Sequence, residues 1–284
     1  MATLRDIRRR IRSVRSTAQI TKTMEMVSAS KLRRAQTTVE SARPYATELR
    51  AVLANLSQAS GESMHPAFAK REVKNRAIIL VTSDRGLCGA FNGNLIRTAE
   101  QRVSELGKPT QWMLLGKKGY DYFRRRSAPM LAFRTDLGGK PDWKFAEEMS
   151  RLILSKVEAG ELDEVDLVYT KFKSALTRSI AVEAYLPLGP DTGSGSASKR
   201  DYLYEPDPDT ILAKILPYFL AMRLYMAMAE SAASEHGARM VAMGSATKNA
   251  NEMIQNLTLH MNRTRQATIT REIVEIVAGA EALK

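Results

Sequence analysis

Apolar residues near the start of this chain fall at Leu4, Ile7, Ile11 and Val14, in alternating gaps of three and four, the spacing of a coiled-coil seam. No glycine occurs before Gly61, and the only proline in that stretch is Pro44. One helix is therefore predicted from about residue 3 to about residue 60, reaching roughly 80 Å at ~1.5 Å per residue. The seam slips after Val14 and resumes at Ile20, Met24 and Val27, then Leu32 and Ala35. A slip of this kind alters supercoiling without ending a helix.

The other end of the chain has the same grammar. After the turn-rich YLYEPDPDT (202–210), Asp209 or Thr210 can cap a helix running to the C-terminus. Its seam reads Met222, Met226, Ala229, Ala233, His236, Met240, Met243, Ala246, Ala250, Met253 and Leu257, then Ile269, Ile273, Ile276, Ala280 and Leu283. Pro217 falls in the early turns. Gly237 and Gly244 each cost about 1 kcal/mol relative to alanine, so packing must hold them. Neither long helix is stable alone, and the simplest arrangement packs the two antiparallel.

Between them the pattern changes. AIILVT (77–82), TQWMLLG (110–116), DLVYTKF (166–172) and SIAVEAYLPL (179–188) read as strands. Helices are expected over 93–106, from 117 through Arg126, and around 143–158. Strand–helix alternation predicts a small α/β, Rossmann-like domain with a mostly parallel sheet. The expected division is 1–60 for the first long helix, 61–201 for the α/β domain and 202–284 for the second long helix. GPDTGSGSASKRD (189–201) reads as a flexible loop.

Charge is unevenly placed. The chain of 284 residues carries a net +12, and residues 1–34 hold ten Lys/Arg against only Asp6 and Glu25. A basic end of this kind calls for an acidic partner: nucleic acid, anionic lipid or an acidic protein surface. The row Arg5, Arg8, Arg12 and Arg15 lies one position beyond the apolar stripe, which sets it beside the seam as either a solvated flank or a contact surface. The single cysteine, Cys88, excludes an internal disulfide and a thiolate metal cluster. No run approaches 18 apolar residues, so no bilayer-spanning segment is expected.

Catalytic chemistry finds little support. SDRGLCGAFNG (83–93) follows a strand and opens a helix, where phosphates bind in doubly wound folds. It nevertheless lacks G-x-G-x-x-G and G-K-[ST] spacing, and its glycines equally suit a tight packed turn. Cys88 has no histidine or second cysteine nearby in sequence. His65, His236 and His260 are far apart and read as packing or polar contacts. No catalytic residue, metal ligand or cofactor site is assigned. NRTRQATITREI (262–273) is a polar interruption of the second seam, suited to fixing register or to presenting handles to another protein.

Several ordered strings resemble the gamma subunit of F-type ATP synthase: DIRRRIRSVRSTAQITKTMEMVSASKLRRA (6–35), TSDRGLCGAFN (82–92), YLYEPDP (202–208), and SEHGARMVAMGSATKNANEMIQNLTLHMNRTRQATITREIVEIVAGAEAL (234–283). The resemblance implies a non-catalytic central rotor shaft within a ring of alpha and beta subunits, with the α/β domain as a foot beside the epsilon subunit and the membrane c-ring. It implies that Met24, with Lys22 nearby, faces an acidic lever of beta, and that Arg265 and Gln266 meet a catch loop of beta. Arg8, Arg12 and Arg15 would face acidic ring surfaces; Tyr204, Glu205 and Asp207 would lie near the c-ring's polar loops. Nucleotides would bind the ring and not this chain, and no nucleic acid would be bound.

The pattern departs from the family's at Ala90, where a second glycine is common, and at Gly244, where a larger residue is usual. His260 and Met261 stand where a tyrosine precedes the NRxRQ asparagine. The absence of a cysteine-pair insert and a helix starting almost at Met1 point to a bacterial protein, peripheral on the cytoplasmic face of the plasma membrane. Two rival readings remain open at this point, a basic coiled-coil nucleic-acid binder and a nucleotide-dependent enzyme.

Overall fold

A computed structural model describes residues 3–59, 65–69, 71–189 and 205–281. Its elements are α1 (Leu4–Ala59), β1 (Arg76–Val81), α2 (Phe91–Leu106), β2 (Thr110–Leu115), α3 (Lys117–Arg124), β3 (Met130–Arg134), α4 (Trp143–Glu158), β4 (Glu164–Phe172), β5 (Arg178–Leu186) and α5 (Pro208–Glu281). They separate into two units. Unit 1 comprises Met1–Ser28 with Met240–Lys284, and unit 2 comprises Ala29–Arg239. The inner parts of both long helices thus belong with the sheet.

Unit 2 is built on a five-stranded sheet of order β3-β2-β1-β4-β5. The pairs β2–β3, β1–β2 and β1–β4 are parallel, and β4–β5 is antiparallel. The strand β3 is absent from the sequence reading: Met130–Arg134 carries an apolar run of only four residues, is half-buried to exposed and lies at the sheet edge, so a run that short does not distinguish a strand from a loop.

Period-two side-chain alternation divides the core. Ala77, Ile79, Val81, Met113 and Leu115 meet α4 (Phe145, Ile153, Val157), the end of α1 (Leu53, Leu56) and α5 (Leu216, Phe219, Leu220). Ile78, Leu80, Trp112, Leu114 and Val168 meet Phe91, Leu95 and Ala99 of α2 and Phe123 of α3. The result is three layers. Tyr185 crosses the first core with its hydroxyl donating to Leu220 O at 2.7 Å and hydrogen-bonded to Ser150 Oγ at 2.8 Å. Helix α5 contains a window of 18 residues apolar enough, by length and composition, to cross a membrane, although no unbroken apolar run of that length occurs in it; half of the window is buried within the protein, as in a core helix.

Helix ends are chemically marked. Thr3 and Asp6 cap α1 reciprocally: Asp6 N donates to Thr3 Oγ1 at 3.3 Å, and Thr3 N donates to Asp6 Oδ2 at 3.2 Å. At α5 the cap is Asp207, not Asp209 or Thr210. Its Oδ1 accepts Thr210 N at 2.8 Å, and Pro208 occupies the first helical position, where a missing N–H costs nothing.

Unit 1 pairs α1 with α5 antiparallel. The hydroxyls of Thr21 and Thr247 share a 2.8 Å hydrogen bond, and a Cβ added to Gly244 would lie 3.4 Å from Glu25 Oε1. Along α1 the inward positions are Leu4, Ile7, Ile11, Val14, Ala18, Thr21, Glu25 and Ser28. The seam therefore does not slip after Val14. It continues in register through small and polar side chains, while Ile20 and Val27 are 57% and 50% exposed. Along α5 the inward positions are Met240, Met243, Thr247, Ala250, Ile254, Leu257, Met261, Thr264 and Thr268. Met253 is 52% exposed, and Ile269, Ile273 and Ile276 also face outward, which corrects the second half of the predicted seam; Leu283 lies outside the described residues. The register places Leu4 roughly level with Thr264, so α5 beyond Thr268 has no α1 beside it. Residues 271–280 are all exposed.

Candidate partner-contact surfaces

The turn 83–93, which opens α2, is tied to other parts of the chain at its first residues. Asp84, after β1, accepts Lys117 N at 2.9 Å and Asp136 N at 3.1 Å on one carboxylate oxygen, and Gly138 N at 2.9 Å on the other. It thereby occupies the N-terminus of α3 with a resident anion. Arg239 of α5 closes the same region from another side. It donates to Gly86 O at 3.1 Å and Arg85 O at 3.3 Å, and pairs with Glu235 Oε1 at 2.6 Å.

Cys88 is buried among Ser83 and Asn92, and burial pushes its thiol up, away from the reactive thiolate. Ala90 has φ −81°, a value open to any residue, so the glycine common there in the family is not required. At Gly116 a glycine is required. Its φ is +94°, and an added Cβ would lie 2.2 Å from Thr82 O. Among the described residues no group of three His, Cys, Asp or Glu is placed to hold a metal ion.

His236 is buried beside Arg239 and Lys31. Burial first, then those two cations, brings its pKa down to about 4, so it is neutral in the fold. Burial conversely raises the carboxyl pKa of Glu235. His65 accepts Ala67 N through Nδ1 at 3.2 Å and has Nε2 at 3.5 Å from Glu158, whereas His260 is exposed.

The residues singled out for partners sit mainly on unit 1. Arg8, Arg12 and Arg15 are exposed and make no ion pair among the described residues; Arg9 alone in that turn reaches Asp6, at 3.6 Å. Lys22 is exposed but engaged, with Nζ 3.3 Å from Glu25 Oε2. Met24 is half-buried beside the exposed Ile20 and Val27. Arg265 and Gln266 are exposed, whereas their neighbours Thr264 and Thr268 turn inward and return their hydroxyls to His260 O and Thr264 O at 2.9 Å each. In the polar interruption, Thr264 and Thr268 therefore carry the seam, and Asn262, Arg263, Arg265 and Gln266 face out.

Glu205 and Asp207 are exposed at the head of α5, where Asp207 also serves as the helix cap; hydrogen bonds from Thr210 lower its carboxyl pKa. Tyr204 lies outside the described residues. Sequence reasoning missed the outward apolar set Met253, Leu259, Ile273, Val274, Ile276 and Val277. A stricter continuation of the three-four spacing from Met243 through Thr247 and Ala250 would have found it.

Comparison with known proteins bears on the family and the fold. The family model described as ATP synthase matches residues 3–283. The ATP synthase gamma chain of Moorella thermoacetica is 49% identical over 284 residues, covering all of both chains, and that of Desulforamulus reducens is 46% identical over the same span. Among solved structures, a chain of the Euglena gracilis mitochondrial ATP synthase OSCP/F1/c-ring assembly aligns with TM-score 0.68 at 20% identity, covering 99% of this chain and 94% of that one. A chain of the Tetrahymena thermophila mitochondrial ATP synthase central stalk and c-ring gives TM-score 0.63 at 23% identity, covering 80% and 99%.

Proposed function

Because the chain belongs to the gamma-chain family of F-type ATP synthase, a non-catalytic rotor subunit of that complex, we propose that its outward residues on unit 1 are the contacts through which it drives, and is driven by, a ring of alpha and beta subunits. The observation that carries this reading is the surface of unit 1. Two helices bury a thin seam between them and, among the described residues, leave Arg8, Arg12 and Arg15 without ion pairs and large apolar side chains exposed. Such a surface is finished by a partner that encloses it, acidic opposite Arg8, Arg12 and Arg15 and apolar opposite Ile20, Val27 and the end of α5.

The assignments by residue follow the same chemistry. Met24 supplies a soft apolar contact for a lever of beta, and Lys22, already paired with Glu25, gives a charge whose partner exchanges as the shaft turns. Arg265 and Gln266 offer a guanidinium and an amide to a polar loop of beta. Tyr204, Glu205 and Asp207 are assigned to the polar loops of the c-ring, with the epsilon subunit beside the α/β domain. Coupling needs only that these contacts differ in free energy between rotary positions. In this reading the protein is peripheral, on the cytoplasmic face of a bacterial plasma membrane, and nucleotides occupy the ring.

Purification of the tagged chain with its associated subunits tests the reading. An ATP-hydrolysing assembly with alpha and beta in roughly equal amount is expected. Recovery of the chain alone, or with nucleic acid whose binding falls steeply with salt, would contradict it.

A further inference from the structure

In unit 2, strand β4 outruns its neighbour. The last pairing between β1 and β4 is Leu80 with Val168, yet β4 continues to Phe172. Its other side is already paired with β5, through Thr170–Ile180 and Phe172–Arg178. Backbone groups beyond Val168 on the β1 side thus need partners that no strand supplies.

Three side chains of α5 supply them. Ser231 Oγ accepts Thr170 N at 3.2 Å, Ser234 Oγ donates to Thr170 O at 3.3 Å, and Glu230 Oε2 accepts Phe172 N at 3.3 Å. All three residues are buried, and Arg43 of α1 lies 3.7 Å from the other Glu230 oxygen. One turn further on, a Cβ added to Gly237 would lie 3.1 Å from Ala175 O, so the helix backbone closes onto the β4–β5 connection.

Apolar contact is non-directional and tolerates small rolls and slides of a helix. Hydrogen bonds to successive outward groups of one strand do not, because they fix both the rotation of α5 about its axis and its position along β4. We infer that Ser231, Ser234 and Glu230 are positioning residues that lock α5 to β4, so that torque entering the α/β domain passes into the shaft without roll. This rests on the rotor reading. It adds a site within the chain where load crosses from sheet to helix.

The test uses the assembled complex in vesicles, with Ser231→Ala/Ser234→Ala and Glu230→Ala as disrupting variants and Glu230→Gln as a control that keeps an acceptor for Phe172 N. Loss of about one net hydrogen bond should speed amide exchange in 168–172 roughly tenfold in the disrupting variants. ATP hydrolysis without a gradient should hold, while the largest ion gradient that hydrolysis can sustain should fall at least about twofold, because slip appears under load. Glu230→Gln should resemble the parent. Faster exchange with an undiminished gradient would reduce the three residues to a structural role, and unchanged exchange would remove the lock altogether. If the double variant does not assemble, Ser234→Ala alone carries the same expectations. Failure of the unaltered chain to assemble with a ring would instead count against the rotor reading itself.

Discussion

The two units use helix pairing for opposite ends. In unit 2 the inner stretches of α1 and α5 bury Leu53, Leu56, Leu216, Phe219 and Leu224 against a sheet, and residues 219–222 and 227–239 of α5 are buried without a break. In unit 1 the same two helices meet through Ala18, Thr21, Ser28, Thr247 and Ala250, with Ile20, Met26, Val27 and the end of α5 turned outward. Apolar burial is the dominant favourable term in folding. Unit 2 satisfies that need internally. Unit 1 leaves large apolar side chains exposed on its outer face.

This contrast can be challenged first where the expected effect is largest. Gly116→Ala puts a Cβ 2.2 Å from Thr82 O at a φ of +94°, and should cost about 4 kcal/mol or more in denaturant unfolding. A loss under about 1 kcal/mol would show that unit 2 is far more pliant than its packing suggests.

Acid should act next. His236 has a folded pKa of about 4 against 6.5 for the free group, so the unfolded chain takes up the proton first. Its contribution to stability is complete above pH 6.5 and is lost as pH falls toward 4. Between pH 7 and 5 that amounts to about 2 kcal/mol, with Glu235, whose carboxyl is raised by burial, working in the opposite direction at the acid end. A melting series over this range should slope downward, and His236→Gln should flatten it; equal slopes would remove His236 as the cause.

Unit 1 should respond differently to glycine replacement. A Cβ at Gly244 meets Glu25 Oε1 at an ordinary 3.4 Å, so Gly244→Ala should stabilise by about 0.5–1 kcal/mol through helix propensity. Destabilisation there would mean that the two helices need the close approach. The smallest effect is expected for Thr21→Val, which removes one neutral hydrogen bond to Thr247 at a seam position and should change stability by about 1 kcal/mol or less.

Legibility from sequence followed the same divide. The strands β1, β2, β4 and β5 and helix α4 could be read because a buried interior leaves long apolar runs or strong amphipathic periods, as in RAIILV and TQWMLL. The edge strand β3 could not, since it buries too little. In unit 1 the existence of the long helices was plain, but the exact seam was not. Ile20 and Val27 attracted the assignment because inward positions were presumed apolar, whereas Thr21, Glu25 and Ser28 occupy them. Where the outside of a helix also carries apolar side chains, hydrophobicity no longer distinguishes inside from outside. Asp207 was legible as a polar residue before a helix, but its capping role could be told from that of Asp209 only by the bond to Thr210 N. The anchoring of Asp84 depends on Lys117, Asp136 and Gly138, residues that no local spacing connects to it.

The central claim is that the outer face of unit 1 serves partners and not its own fold. Met24→Lys and Arg265→Ala, made singly and together, test it most directly when ATP synthesis is measured in vesicles containing the assembled complex. Coupled synthesis should fall severalfold while the unfolding free energy of unit 2, which contains neither residue, stays within about 0.5 kcal/mol of the parent. Full synthesis by the double variant, or loss of synthesis that merely tracks unfolding of the sheet domain, would contradict the account.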